Sequence, residues 1–421
     1  MALNTAKEVR VMFDQVTDLM DEEFQMATLT DSYDVDPATM QNSSNIIWRP
    51  VEQHAPVKSG WDMTGKFGNV IEQYYPCQLE DPRNDAFGLR ADDFRDRRFM
   101  ERRSRAAAKK LSADQNQRIA NLVASTGSLF SRTSTAGYDF LATPEAIMDE
   151  RQVASMTGRS FFLNPRDHQQ IASDLANRGT LSGRPEGAYA RSMVGKDVAG
   201  FDVYRSSYLP TLAGGATPAG AVVATTVSLK PEGLTTVGGV NVNVDYRVGT
   251  VVLGAGDGAD FNVGDRISFS GVKAVGLLDK TNTGQDMTFT IVGISTDTIS
   301  VYPKPIALND AALSDAEKAY ANIATQITSG TAVVRLNTDT LAQTNAFWAN
   351  DSIEIIGGSA PLSYLGQLDG MEVMETTLTS GTKLYMAYQG SIDDFSLKCR
   401  LFTWYGLCNK RPDANGIAIL A

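Results

Sequence analysis

Cysteine is scarce in this chain: Cys77, Cys399 and Cys408 among 421 residues, with no C-x-x-C spacing. An odd, scattered set excludes a disulfide scaffold and a thiolate zinc site, and it implies a reducing compartment. Histidine is scarcer still, with only His54 and His168, far apart in sequence. Two distant imidazoles offer no cluster for a metal or for histidine-based catalysis, and both read as structural. No G-x-S-x-G, phosphate-binding loop or H-E-x-x-H is present, which removes the usual signatures of nucleophile, nucleotide and zinc chemistry. No apolar run approaches the length of a bilayer span. The start, MALNTAKEVRVMF, has no long apolar core of a signal peptide, so a soluble, intracellular product is expected. Positive charge is in deficit, 38 Lys and Arg against 49 Asp and Glu, a net charge of −11. A free-standing DNA binder carries the opposite balance. An acidic average surface repels phosphate and suits containment better than grip.

What is present is ordinary for a globular protein: 43% hydrophobic and 21% charged residues, enough for a sizeable core in roughly two to three domains. Residues 2–27 read as an amphipathic helix. Val9, Phe13, Val16 and Met20 recur at three- and four-residue steps, while Asp14, Asp18, Asp21, Glu22 and Glu23 crowd the other sides. Such a helix is marginal alone and is expected to dock on its own body or a partner. Residues 31–82 alternate short β-like runs with Gly and Pro and resemble a long hairpin, with arms near 46–51 and 68–79. Residues 90–127 read as one long helix, with a break possible at Ser112 and a stop at Gly127. Thr143-Pro144-Glu145 and Asn164-Pro165 with Asp167 read as helix starts, and GRSFFLN (158–164) as a buried strand between them. Near residue 213 the texture becomes rich in Gly, Thr and Val. Strands are expected at 222–229, 240–244, 250–253, 266–269, 287–292 and 298–301, the spacing of a small antiparallel barrel or sandwich. The α+β texture resumes after residue 337, so 222–337 reads as an insertion.

Three stretches invite chemistry. GAGDGADFNVGD (254–265) gathers Asp257, Asp260 and Asp265, but its spacing is not that of a calcium loop, and a turn between strands is the better reading. Cys399 and Cys408 lie in strand patterns and read as small buried hydrophobes. RADDFRDRRFMERRSRAAAKKL (90–111) is the most basic stretch, with Arg and Lys outnumbering carboxylates by about two to one. Its carboxylates are interleaved, allowing pairs such as Asp93–Arg97 and Asp92–Arg95. A DNA-contacting helix keeps one face free of carboxylate, and the stretch lacks interleaved aromatics for single-strand stacking. A helix charged on nearly every side buries little by itself. An intersubunit or solvated salt-bridge helix, with Arg95, Arg98 and Arg102 as candidate groups, is therefore preferred over a nucleic-acid binder. A polysaccharide-acting β protein is a further alternative. It would need paired carboxylates in an aromatic cleft, and the insertion has few aromatics beyond Phe261, Phe269 and Phe289.

The order of parts adds to this reading. MQNSSNIIWRPVEQ then GWDMT, LRADDFRD, FFLNPRD, VAGFDVYRS, GDRISFSGVK, PKPIALND with AYAN, FWANDSI and CRLFTWYG follow one another along essentially the whole chain. In that order they resemble the major coat protein of short-tailed enterobacterial phages. The resemblance implies an α+β tailed-phage capsid fold (HK-ninety-seven type) with an inserted antiparallel β-barrel. It implies an N-terminal arm over 1–30, an extended hairpin over 40–86 reaching onto a neighbour with Glu52 and Trp61, peripheral and axial domains from 87–221 and 338–421, and the insertion over 222–337. It implies no enzymatic activity and no cofactor or metal. The expected partners are copies of the chain in hexamers and pentamers, a portal protein, a separate scaffolding protein and enclosed double-stranded DNA with little specific binding; no membrane is expected. The expected location is the virion, after assembly in the host cytoplasm. Asp14, Asp18 and Asp21 are candidate scaffold contacts. Glu232, Asp245 and Arg247, on the Gly-rich loop 230–247, are candidate contacts between capsomers. A nanocompartment shell of the encapsulin kind shares the fold and is the alternative.

Overall fold

The computed structural model describes the chain apart from residues 1, 24–25, 35–44, 56, 65–66, 68–69, 91–92, 94–96, 154–157, 179–192, 216–219, 233–234, 238–239, 243–244, 339, 360–370, 392–395 and 421. Contacts group it into two compact units: Met1–Ile47, Cys77–Ile119 and Ile353–Cys408, and Trp48–Pro76, Ala120–Ser352 and Asn409–Ala421.

In the first unit, helix α1 (Ala2–Glu23) buries Val9, Met12, Phe13, Val16 and Met20 and leaves Asp14 and Asp18 exposed. The apolar face is the one the sequence pattern predicts. The α-helix stops at Glu23, and Ala27–Leu29 is a single 3-10 turn. A four-stranded antiparallel sheet runs in the order Met371–Thr377, Lys383–Ser391, Ser396–Thr403, Arg83–Arg90. Its third strand buries Leu397, Cys399 and Leu401 and exposes Lys398 and Arg400, the two-residue period of a one-sided sheet. The strand Arg83–Arg90 is not foreseen by the sequence reading, because one of its two buried positions is Asp85 and the apolar alternation is broken there. Burial pushes the Cys399 thiol up to about 12, and the sulfurs of Cys77 and Cys408 touch at 3.1 Å in the interior. All three cysteines are buried, and none is joined in a disulfide.

Helix α2 (Arg97–Thr126) runs from the first unit into the second without a break at Ser112. The expectation that so charged a helix buries little is corrected. Ser104, Ala107, Ala108, Leu111, Ser112, Gln115, Asn116, Ile119, Ala120 and Val123 form a buried stripe at helical spacing. Leu111, Ile119 and Val123 follow the apolar side that the sequence shows, but more than half of the stripe is small or polar, so hydrophobic periodicity does not register its full extent.

The second unit holds a six-stranded mixed sheet ordered Leu129–Thr133, Asn415–Leu420, Asn345–Ala349, Arg159–Leu163, Phe201–Arg205, Met193–Val198. Phe140, Phe161, Phe201 and Phe347 pack beside it with ring centroids 5.5–6.0 Å apart. Helix α3 spans Tyr138–Glu150, so the start expected at Thr143 is wrong: Pro144 lies inside the helix, and Thr143 Oγ1 donates to Asp139 O instead of capping. Burial of Phe140 and Leu141 carries the helix through the hydrogen bond that a proline cannot make. Helix α4 (Pro165–Arg178) begins where its signals place it, with Asn164 Oδ1 accepting from the amides of Arg166 and Asp167 at 3.0 Å.

Between Arg205 and Asn345 the chain leaves that sheet and builds a barrel. Its strands are ordered Gly249–Val252, Thr298–Tyr302, Asn282–Ser295, Arg266–Val275, Val333–Arg335. Val223 bridges Leu253 beside the first edge and Val222 bridges Ala332 beside the last, which closes the sheet on itself. A strand over 222–229 is expected, but only these two residues form β-bridges; Ala224 N and Val227 N donate singly to Val252 O and Ile327 O at 2.8 Å. Phe269, Phe289, Ile267, Ile291, Ile299 and Val301 fill the interior. A separate antiparallel ribbon pairs Thr235–Val237 with Val240–Val242 in the loop 230–247.

Candidate assembly surfaces

The basic run is partly neutralised by distant residues of its own unit. Arg103 Nη2 lies 2.7 Å and Lys110 Nζ 3.3 Å from the buried carboxylate of Asp85, and Arg118 pairs with Glu80. Arg103 also stacks 4.3 Å over the Phe87 ring. The sequence reading looked for partners along the helix, whereas these lie on and before the strand Arg83–Arg90. Of the expected intrahelical pairs, Asp92, Arg95 and the Arg97 side chain are outside the described residues, and Asp93 accepts the Arg90 amide at 2.8 Å. Arg98, Arg102, Arg105 and Lys109 are exposed at steps of four, three and four residues. That makes one basic stripe, with the half-buried Glu101 along its edge, which linear charge interleaving conceals.

A short ribbon, Ile46–Pro50 with Tyr74–Gln78, forms the stem of the hairpin. Beyond it, Val51 N donates to Gln73 O at 2.7 Å. The second unit's own residues hold this stem: Tyr320 Oη donates to Ile71 O at 2.9 Å, and Gln73 Nε2 to Tyr246 O at 3.1 Å. Glu52 is exposed, 3.9 Å from His54 Nε2. Further out, Val57, Trp61, Phe67 and Val70 are 98, 105, 87 and 76% exposed.

On the loop 230–247, Glu232 is exposed, whereas Asp245 and Arg247 are brought to each other. Arg247 Nη2 lies 2.8 Å from Asp245 Oδ2. Its guanidinium is buried 4.3 Å over the Tyr75 ring and 5.3 Å over that of Tyr302. On the arm helix Asp14 and Asp18 are exposed, and the Asp21 side chain is outside the described residues.

The acidic stretch 254–265 is a turn between two barrel strands, containing a 3-10 segment at Asp257–Asp260. Asp257 accepts the Val222 amide at 3.0 Å. Asp265, fully buried, accepts from Asn262 N at 2.8 Å, Gly215 N at 3.2 Å and Asn337 Nδ2 at 2.9 Å. Among the described residues no group of three or more His, Cys, Asp or Glu could hold a metal ion. Burial holds both His54 and His168 below the usual imidazole range. Four basic groups that the sequence reading did not single out, Arg151, Arg266, Lys280 and Lys304, are buried in the second unit. Nothing in their local sequence announces this, because the segments that cover them are distant in the chain.

Several solved structures are similar to this chain. The capsid of cyanophage P-SCSP1u matches at 11% identity and a TM-score of 0.43, covering 93% of this chain and 86% of that one. The CUS-3 coat protein I-domain matches at 26% identity and a TM-score of 0.23, covering 30% of this chain and 100% of that domain. The encapsulin SrpI of Synechococcus elongatus matches at 10% identity and a TM-score of 0.35, covering 94% and 88%. Assignment rests on sequence: the family model for the P22 coat protein, gene protein 5, matches residues 1–420, and the chain belongs to that family of phage coat proteins.

Proposed function

We propose that the chain is the shell subunit of an icosahedral procapsid. In this reading it assembles as hexamers and pentamers with a separate scaffolding protein and a portal, then matures to enclose double-stranded DNA in the virion. The proposed parts are the arm over 1–30, the hairpin over 40–86, the core over 87–221 and 338–421, and the insertion over 222–337. The observation that carries it is the outer hairpin. Trp61, Phe67, Val57 and Val70 are almost wholly exposed, and an aromatic, apolar segment held out on an anchored stem is suited to burial against another copy. Each contact can be weak, because many act together in a closed shell and wrong ones dissolve. An acidic average surface, at −11 per chain, suits a wall that does not adhere to its contents.

The test is electron microscopy with light scattering on the purified chain, with and without a candidate scaffolding protein. Uniform shells only with scaffold are expected. Uniform shells without it would assign a self-assembling nanocompartment, and a persistent monomer under both conditions would overturn the shell reading.

A further inference from the structure

The second unit encloses a cavity of about 360 Å³, at the small end of the range for small-molecule sites. Its wall is strongly basic. Seven Arg and Lys line it against two carboxylates, Glu52 and Asp413. Arg151, Arg247, Lys280 and Lys304 are the buried cations among them, between 6 and 9% exposed. Arg247 is neutralised by Asp245, and Arg411, at the rim, pairs with Asp351 at 2.7 Å.

The other three buried cations meet neutral oxygens. Arg151 Nη2 donates to Thr288 Oγ1 at 3.3 Å, Lys280 Nζ to Ala321 O at 3.1 Å, and Lys304 Nζ to Lys230 O at 3.2 Å. Arg151 Nε is buried with no hydrogen-bond partner. An ammonium carries three donors and a guanidinium five, so these contacts engage only a fraction of what is present. The acids near them fall short of balancing the charge. Glu52 has a side chain 70% exposed. Asp279, beside Lys280, turns its carboxylate to the Thr281 amide and hydroxyl. Asp413 is shared as the favourable charge for Arg151, Lys280 and His54 together.

Gathering like charges away from water is costly unless an opposite charge joins them. We propose that this cavity is a binding site for a small multivalent oxyanion of the oligophosphate class, held by Arg151, Lys280 and Lys304. A guanidinium fork and two ammonium point charges are the groups that grip phosphate oxygens. The cavity's size admits a compact anion. Burial pushes the two lysines down to about 8 and Arg151 to about 10, a cost that a bound anion would reverse. The cavity shares the hairpin's stem residues 49–52, 54, 73 and 75 but not its exposed outer segment, and binding is read on the unassembled chain, so its failure is distinguishable from failure of the shell reading.

The experiment is isothermal titration of the unassembled full chain with sodium triphosphate at fixed ionic strength. Saturable binding of one triphosphate per chain is expected, weakened at least about tenfold in Lys280→Gln/Lys304→Gln. Gln keeps a donor for each carbonyl and removes a buried charge, so the variant should fold. Arg151→Gln, which removes the guanidinium charge, gives a second reading of the same loss. No saturable heat, or equal affinity in both variants, overturns the proposal. Binding of a short DNA duplex with none of triphosphate would assign the phosphate contact to nucleic acid and overturn the small-anion site.

Discussion

Arg266 Nη2 donates to Ala124 O at 2.6 Å, and the same guanidinium reaches Gly127 O. A barrel strand thus places a buried cation on a last-turn carbonyl of α2, which no later turn of helix can satisfy and which lies at the negative end of its dipole, and on the carbonyl just past the helix end. Thr290 Oγ1 adds a hydrogen bond to Gly127 O at 2.9 Å, and Thr288 Oγ1 bonds to Ser128 O. The arginine stands without a carboxylate at the cost of a pKa pushed down to about 9 by burial. Arg266→Met keeps the bulk and removes the donors. It is expected to lower the unfolding free energy by about 1–3 kcal/mol, with Arg266→Lys recovering part of the loss, in urea titrations of the unassembled chain. Unchanged stability in Arg266→Met would remove the capping role.

Much of this framework was legible in the residues. The buried face of α1, the Asn164 cap, four of the five barrel strands and the turn at 254–265 follow from periodicity and local chemistry, whereas the strand Val333–Arg335 is not foreseen and residues 240–242 of the strand expected at 240–244 lie in a separate ribbon. The failures share a cause: tertiary partners replaced the local signals. Asp85 occupies an inward strand position because Arg103 and Lys110 come to it from a helix 18 and 25 residues away in sequence. Pro144 looked like a first-turn residue because the two buried side chains that precede it, Phe140 and Leu141, had no cap ahead of them. Between Leu111, Ile119 and Val123 the buried stripe of α2 is filled by Ser, Ala, Gln and Asn, which carry little hydropathy signal. The basic cavity joins residues 49–75, 151, 247–322 and 410–413, and no linear motif spans such distances.

Arg247 is a test of loop against anchor. Its Nε lies 3.0 Å from Asp245 Oδ1, Nη1 donates to Asn409 O at 2.5 Å, and two tyrosine rings enclose it. Arg247→Ala leaves a carboxylate and a carbonyl without this donor and is expected to cost about 3 kcal/mol in the isolated chain. Thermal unfolding of the unassembled protein reads this directly. A variant of normal stability that forms mis-sized shells would instead place the role of Arg247 at a contact between copies.

Trp61 predicts the opposite pattern. Its side chain is fully exposed, so Trp61→Ser should leave the stability of the unassembled chain within about 0.5 kcal/mol. The same substitution should abolish or strongly reduce shell yield on addition of scaffold, as counted by electron microscopy. Normal shells from Trp61→Ser would detach the hairpin from assembly.

The arm helix offers Asp14 and Asp18 to solvent one turn apart. A basic scaffold segment would be steered to such a pair, and the attraction would fall with salt. Asp14→Ala shells are expected to contain less scaffold, with the difference from wild type shrinking as ionic strength rises. Scaffold content is read from band intensities of purified procapsids, and equal content at low salt would refute the contact.

The buried lysines set a stability window in pH. Lys280 and Lys304 have folded-state values near 8, below the ordinary lysine value of 10.5. Between those limits the unfolded chain binds more protons, so these two groups make unfolding harder as pH rises through 8 and above. Below about pH 8 both states are protonated, and the full cost of burying the ammonium groups is present. Asp279, Asp413 and His54 act on Lys280, and Asp245 on Lys304. Cys399, Tyr388 and Tyr405, each pushed up to about 12 by burial, work in the other direction at higher pH. The informative quantity is therefore the difference between wild type and Lys280→Gln/Lys304→Gln from pH 7 to 9.5. The variant should be the more stable at pH 7 in phosphate-free buffer, and its advantage should shrink steadily above pH 8. Triphosphate should reduce that advantage at pH 7, because it stabilises only the chain that keeps both ammonium groups. A pH-independent difference would mean that neither lysine carries a displaced charge in the folded protein.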